Sequence, residues 1–99
     1  MKKIDHTTSI QSTKEILKEY SSWLKGHKFL QKAILHYVSH MFGIQEYYYE
    51  TTGKDFFAIK NVKKIKEEAD LLPMEYKSGK YLLALKYYMK FMEEKGNAV

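Results

Sequence analysis

The 99-residue chain contains no cysteine, no arginine and only one proline. Without cysteine there is no disulfide, no thiolate metal site and no cysteine nucleophile. No apolar stretch approaches the roughly 20 residues needed to cross a bilayer, and the opening MKKIDHTTSI lacks the hydrophobic segment of a signal peptide. We therefore expect a cytoplasmic protein that does not associate with membranes.

Lysine supplies all 17 basic side chains, against 12 acidic ones, and the formal net charge is +5. Lysine neutralises phosphate as a mobile point charge, whereas arginine supplies the planar fork that reads guanine or clamps phosphate bidentately. A nucleic-acid partner would therefore be held mainly through its backbone, with little base discrimination. The same bias is equally typical of an AT-rich genome, and composition does not separate the two explanations.

One folded helical domain is expected from the length and from a composition that is 44% apolar and 29% charged. Residues 1–11 are polar and are predicted to form a flexible N-terminus, and residues 12–96 a single helical domain. The stretch STKE, which starts at Ser12, is a capping box that opens the first predicted helix. Gly26 is expected to end that helix.

The middle of the chain combines a clear helix with an ambiguous aromatic segment. A second helix is predicted over residues 28–42, with Leu30 facing inward and Gly43 as its C-terminal signal. The aromatic residues that follow favour a strand locally, but a lone hairpin between helices would be marginal. Residues 44–50 are therefore predicted to form a short helix or a helix extension. The loop after them is expected to plug the core with Phe56, Phe57 and Ile59.

The last two predicted helices complete an all-α fold, a single bundle of four to five helices. Asn61 is a good N-cap for the third helix, which Pro73 ends. Its apolar side recurs at helical spacing through Val62, Ile65, Ala69 and Leu72. The final helix is predicted over residues 80–95, and because it is apolar on nearly all sides it is expected to be central.

The third predicted helix carries lysines at its start and acids towards its end, which is the unfavourable order for a helix dipole. Free N–H groups make a helix start an anion site, and we interpret the added lysines as phosphate ligands. The alternative is that Lys63–Glu67 and Lys64–Glu68 form ordinary i,i+4 pairs on a solvated face. The lysines predicted to contact nucleic acid lie at the last two helix starts and the first helix junction: Lys60, Lys63, Lys64, Lys77, Lys80, Lys28 and Lys32.

Two further clusters in the sequence contain residue types that can form binding sites. His36 and His40 have a spacing that can hold zinc, but Tyr37 stands where the HEXXH motif needs glutamate, so we expect no metal or cofactor. Three consecutive tyrosines cannot all face inward from a helix, so at least one is expected to be exposed and available to a protein partner. They are Tyr47, Tyr48 and Tyr49.

The second half of the chain resembles a known family. The stretches KDFFAIKNVKKIKEEADLL and SGKYLLALKYYMKFMEEKG are similar to the second half of the SAM-like core-binding domain of tyrosine recombinases and to helical domains attached to some restriction endonucleases. The pattern x-Y-x-x-A-L-x-x-Y-x-x-F-x-x-x-x-G of the final helix is matched by Tyr81, Ala84, Leu85, Tyr88, Phe91 and Gly96. TKEILKEYSSWL and AILHYVSHMFG would correspond to the first two helices.

The resemblance implies binding of double-stranded DNA without catalysis, and a contact made by lysines alone is expected to be weakly specific. In that family the catalytic arginines, histidine and tyrosine lie in a separate domain, and this chain has no arginine. No nucleophile, base and acid can be assembled from the sequence either, so we expect no enzyme. The alternative is a small protein-interaction factor, a regulator or inhibitor of a larger enzyme, that binds through the tyrosine-rich stretch.

Overall fold

Four helices account for most of the chain in the computed structural model, which describes the backbone of residues 6–97 and the side chains of residues 13–96. They are α1 (His6–Gly26), α2 (Gln31–Thr52), α3 (Val62–Asp70) and α4 (Gly79–Asn97). Two 3₁₀ turns, Phe56–Ala58 and Met74–Lys77, precede α3 and α4 respectively. No strand occurs among the described residues. The prediction of an all-helical bundle is confirmed.

The start of α1 lies further towards the N-terminus than the sequence indicated. The helix begins at His6, so the capping box from Ser12 lies inside it and the predicted start is wrong. Thr13 is buried one turn before Ile16, so the helix already packs on the core where the predicted cap would begin it. Of the predicted flexible N-terminus, residues 1–5 lie outside the described residues.

The end of α1 is a Schellman turn with lysine in the position that usually holds glycine. The helix ends at Gly26 as predicted, but the left-handed residue is Lys28, with φ 66°. The Phe29 N–H donates to the Leu24 carbonyl at 3.2 Å, and the Lys28 N–H donates to the Lys25 carbonyl at 3.0 Å. This turn reverses the chain so that α2 packs back along α1.

Helix α2 is one continuous helix, and Gly43 does not end it. Met41 and Ile44 on either side are both fully buried, so packing holds the helix together through the glycine. The terminating glycine is Gly53, which has φ 75° and donates its N–H to the Tyr49 carbonyl at 2.8 Å. The extension predicted over residues 44–50 is thus confirmed.

The other end of α2 differs from prediction in one side chain. Leu30 was expected to face inward, but it occupies the N-cap position in an extended conformation and is 78% exposed. Because the helix begins only at Gln31, Leu30 lies outside the apolar stripe that its spacing suggested.

The core forms where α4 meets α1, α2 and α3. Tyr20 and Tyr88 are fully buried there, and the Tyr20 hydroxyl donates to the Ala84 carbonyl at 2.9 Å. Phe56 and Phe57 fill the space beside Tyr88, which confirms the predicted plug. Helix α4 is central, but it is not covered on all sides, because Leu82 and Leu83 on its outer face are exposed.

Candidate nucleic-acid interface

The start of α3 has the geometry of a capped helix N-terminus. The Asn61 side-chain oxygen accepts from the Lys64 N–H at 3.1 Å, which confirms the predicted N-cap. The first helical hydrogen bond runs from the Ile65 N–H to the Asn61 carbonyl at 2.9 Å. The N–H groups of Val62 and Lys63 precede that bond, so they point out of the helix end with the positive end of its dipole.

Four exposed lysines surround this helix start. Three of them, Lys60, Lys63 and Lys64, were predicted. The fourth is Lys54, which lines the same surface groove as Lys64 between α2, the first 3₁₀ turn and α3. Lys54 is not among the lysines predicted from the sequence, because it stands alone in a loop. The sequence feature that could have indicated its position is the preceding Gly53, which ends α2 in a left-handed conformation and turns the chain back towards α3. We call these four residues the α3 lysine group.

Glu68 is the acidic side chain most closely tied to the α3 lysine group. It accepts a hydrogen bond from the Tyr48 hydroxyl at 3.0 Å and pairs with the Lys64 ammonium at 3.4 Å. The Tyr48 hydrogen bond and, after it, Lys64 hold the pKa of Glu68 below its ordinary value, although desolvation opposes the shift. The i,i+4 alternative is thus realised at Lys64–Glu68, whereas Lys63 and Glu67 form no ion pair in the described chain.

Lys60 faces a groove of mixed charge on the other side of the first 3₁₀ turn. The groove lies between α1, that turn and the end of α4, and it also carries the carboxylates of Glu15, Glu19 and Asp55. Glu19 is itself paired with Lys95. The groove that Lys54 and Lys64 line also carries two carboxylates, those of Asp55 and Glu68, so both grooves beside the first 3₁₀ turn are of mixed charge.

The lysines at the start of α4 do not join the α3 lysine group. The half-buried Lys77 donates its ammonium to the Asp70 carbonyl at 2.8 Å, and Asp70 is the last residue of α3. Helix α3 has nine residues and is therefore about 13 Å long. Since Lys77 is bonded to the last of these residues, its ammonium lies roughly that far from the α3 start. Lys80 follows it in the first turn of α4 and is exposed. The two helix starts thus lie at opposite ends of α3.

Lys28 and Lys32 form a third, separate group at the junction of α1 and α2. Both are exposed. Tyr48, which contacts α3 through Glu68, lies sixteen residues after Lys32 on the same helix. At 1.5 Å per residue this corresponds to about 24 Å along α2. The seven predicted lysines are therefore distributed over three places, of which the α3 start holds the largest number.

The three consecutive tyrosines do not form one exposed surface. Tyr48 is buried against Phe56 and bonded to Glu68, whereas Tyr47 and Tyr49 are half-buried. Tyr76 from the second 3₁₀ turn lies against the Tyr47 ring, with centroids 4.9 Å apart, and covers part of it. No member of the trio is fully exposed, and residues from other elements cover part of Tyr47 and Tyr48.

The histidine pair has a local role. The Nδ1–H of His40 donates to the His36 carbonyl, and the His40 ring packs edge-on against Tyr81 at 4.5 Å between centroids. Among the described side chains, no group of three or more histidines and acids is arranged to hold a metal ion. Within the same part of the chain, no helix has both the length and the apolar character needed to span a bilayer.

No family model, curated protein or solved structure matches the chain. The similarity to the core-binding domain of recombinases therefore stays a prediction from the sequence.

Proposed function

We propose that the protein is a non-catalytic module that binds the backbone of double-stranded DNA through the α3 lysine group. The observation that carries this proposal is the arrangement of four exposed lysines around a helix start with outward-pointing N–H groups. Those N–H groups and the dipole favour an anion, and the lysines add full charges beside them. Without an anion the same lysines are unfavourably placed.

The proposed contact is small and weakly specific. Lys77 is already bonded to the Asp70 carbonyl, so it contributes less than its position in the sequence suggested. Three to four phosphate contacts give a slope of log affinity against log salt concentration of about −3 to −4. Since the chain has no arginine, it lacks the planar guanidinium fork that reads guanine bidentately. The resemblance to recombinase core-binding domains supports the same type of partner.

A charge-reversal pair of variants tests the proposal. The first variant is Lys60→Glu/Lys63→Glu/Lys64→Glu. The matched control is Lys14→Glu/Lys18→Glu/Lys25→Glu, which makes the same charge change on exposed lysines of α1. Binding to a labelled duplex of arbitrary sequence is measured by fluorescence anisotropy at low salt. We expect the α3 variant to lose about 100-fold or more in affinity and the control about tenfold or less, through the long-range field alone.

Folding of both variants is checked by circular dichroism and thermal melting before affinities are compared. Equal losses in the two variants would mean that only net charge matters and that the α3 start is no site. Undetectable binding of the unmodified protein at minimal ionic strength would remove the proposal altogether.

A further inference from the structure

A continuous row of half-buried aromatic rings lies where the second 3₁₀ turn meets α2 and α4. Tyr47 packs on Tyr76 with centroids 4.9 Å apart, and Tyr76 meets Tyr81 at 4.9 Å and an angle of 73°. His40 continues the row beyond Tyr81 at 4.5 Å and 78°. We call these four residues the aromatic strip. They come from three separate elements, so their spacing in the sequence does not reveal the row.

The aromatic strip carries three phenol oxygens and has two carboxylates, Glu50 and Glu75, close to it in the chain. Burial, followed by Glu75, Tyr81, Tyr47 and Glu50, raises the pKa of Tyr76 above its ordinary value. None of the three phenol oxygens makes a hydrogen bond to another described residue. Glu75 precedes Tyr76 in the chain and Glu50 lies one helical turn after Tyr47 on α2, so two carboxylates from two elements lie beside the strip.

Nucleic acid is a poor occupant for this surface. Aromatic rings can stack on bases, but carboxylates beside them repel the phosphates of the same strand. Lys77, the lysine next to Tyr76 in sequence, is held on the Asp70 carbonyl. The chemistry that fits π faces, free phenol oxygens and nearby carboxylates is a cation carried on an apolar stem.

We propose that the aromatic strip is a docking surface for a basic peptide segment of a partner protein, whose lysine or arginine side chain lies against the tyrosine rings beside Glu50 and Glu75. The rings are already held by one another and by α2 and α4, so little ordering is needed when the peptide binds. Half-burial also leaves part of each ring in contact with solvent before docking. This surface is independent of the DNA contact proposed for α3.

The test is a ¹H–¹⁵N NMR titration of the full chain with two short blocked peptides. One peptide carries two lysines and an arginine among glycines and serines, and the other carries norleucine in their place. We expect the basic peptide to shift the amide signals of the aromatic strip and the norleucine peptide to leave them in place. Lys60→Glu/Lys63→Glu/Lys64→Glu should bind the basic peptide as the unmodified protein does.

Variants of the strip separate the ring contribution from the charge contribution. Tyr76→Leu and Glu50→Gln/Glu75→Gln should each weaken binding by about two- to fivefold, whereas Tyr76→Phe keeps the ring and most of the affinity. The matched control is Tyr87→Leu, which removes a ring from the other half-buried aromatic cluster, formed with Phe29 and Tyr37. It should leave peptide affinity unchanged.

Three results would overturn this inference. Equal binding of the norleucine peptide would show a purely apolar contact, and unchanged affinity in Glu50→Gln/Glu75→Gln would show that the carboxylates play no part. Shifts at the aromatic strip caused by a single-stranded oligonucleotide instead of the basic peptide would assign the surface to nucleic acid. The double glutamine variant changes only surface charge, so the result stands even where Tyr76→Leu proves unstable.

Discussion

The starts of α3 and α4 carry the same sequence pattern, yet their lysines have different surroundings. Lys63 in the first turn of α3 is exposed and forms no ion pair with Glu67, four residues later. Lys77 just before α4 is half-buried and bonded to the Asp70 carbonyl at the end of α3. A lysine near a helix start can therefore remain available to an external anion or cap the far end of a neighbouring helix.

This difference changes how the charge of Lys77, at the start of α4, is interpreted. Near the start of α4, Lys77 looks misplaced with respect to the dipole of that helix. At the C-terminal end of α3 the same ammonium is favourably placed, because carbonyl groups and negative potential are concentrated there. The α3 start keeps Lys60, Lys63 and Lys64 exposed, whereas the α4 start keeps only Lys80 of its two predicted lysines free of such a bond, so an arriving phosphate is expected to relieve more repulsion at α3.

Loss of the side-chain caps should have the largest effect on stability. Asn61→Ala removes the acceptor of the Lys64 N–H and should lower the free energy of unfolding by about 1 kcal/mol. Ser78→Ala should lower the free energy of unfolding by only a few tenths of that amount. The reason is that the Ser78 hydroxyl donates to the Met74 carbonyl and caps no α4 N–H. Urea denaturation of both variants checks this. Equal costs would show that the two helix starts are capped alike.

Removing one lysine from each start should change stability in opposite directions. Lys63→Met takes a positive charge away from a helix start and should raise the free energy of unfolding by about 0.3–1 kcal/mol. Lys77→Met takes a donor and a charge away from a helix end and should lower it by a similar amount. Melting at two salt concentrations is the measurement, and both effects should shrink at high salt. If the free energy of unfolding changed with the same sign in both variants, the two lysines would not differ in their electrostatic surroundings as proposed.

The smallest expected effect concerns Glu68, which partly neutralises the α3 start. Its pKa is lowered by Tyr48 and Lys64, so its contribution to stability is present above the ordinary glutamate pKa and is lost as pH falls through the lower, folded value. Tyr48→Phe should move the pKa of Glu68 back towards its ordinary value in an NMR titration. A pKa that does not move would show that the hydrogen bond contributes nothing to the shift.

Local signals in the sequence predicted much of the fold. Asn61 caps α3, and Phe56 and Phe57 fill the core, because a cap and an apolar plug depend on neighbouring residues. Gly43 was misassigned because a glycine ends a helix only when packing does not continue beyond it. Ile44 and Tyr48 are buried on the far side, and that burial depends on α3, α4 and the first 3₁₀ turn.

The candidate site could be predicted only in part, because some of its contacts also depend on other elements of the fold. Exposed lysines at the α3 start follow from their place in one amphipathic helix. The bond of Lys77 to Asp70, the position of Lys54 beside Lys64 and the packing of Tyr76 on Tyr47 all join separate elements. Spacing along one helix carries no information about which other element will cover it.

The most direct test of the DNA-binding proposal is the salt dependence of duplex binding for lysine-to-glutamine variants of the two helix starts. The slope of log affinity against log salt concentration should flatten by about 0.9 for each lysine removed in Lys60→Gln/Lys63→Gln/Lys64→Gln. In Lys77→Gln/Lys80→Gln the change per lysine should be less than about half of that, because Lys77 is already bonded within the protein. An unchanged slope in the α3 variant, or an equal change per lysine at both helix starts, would contradict the account.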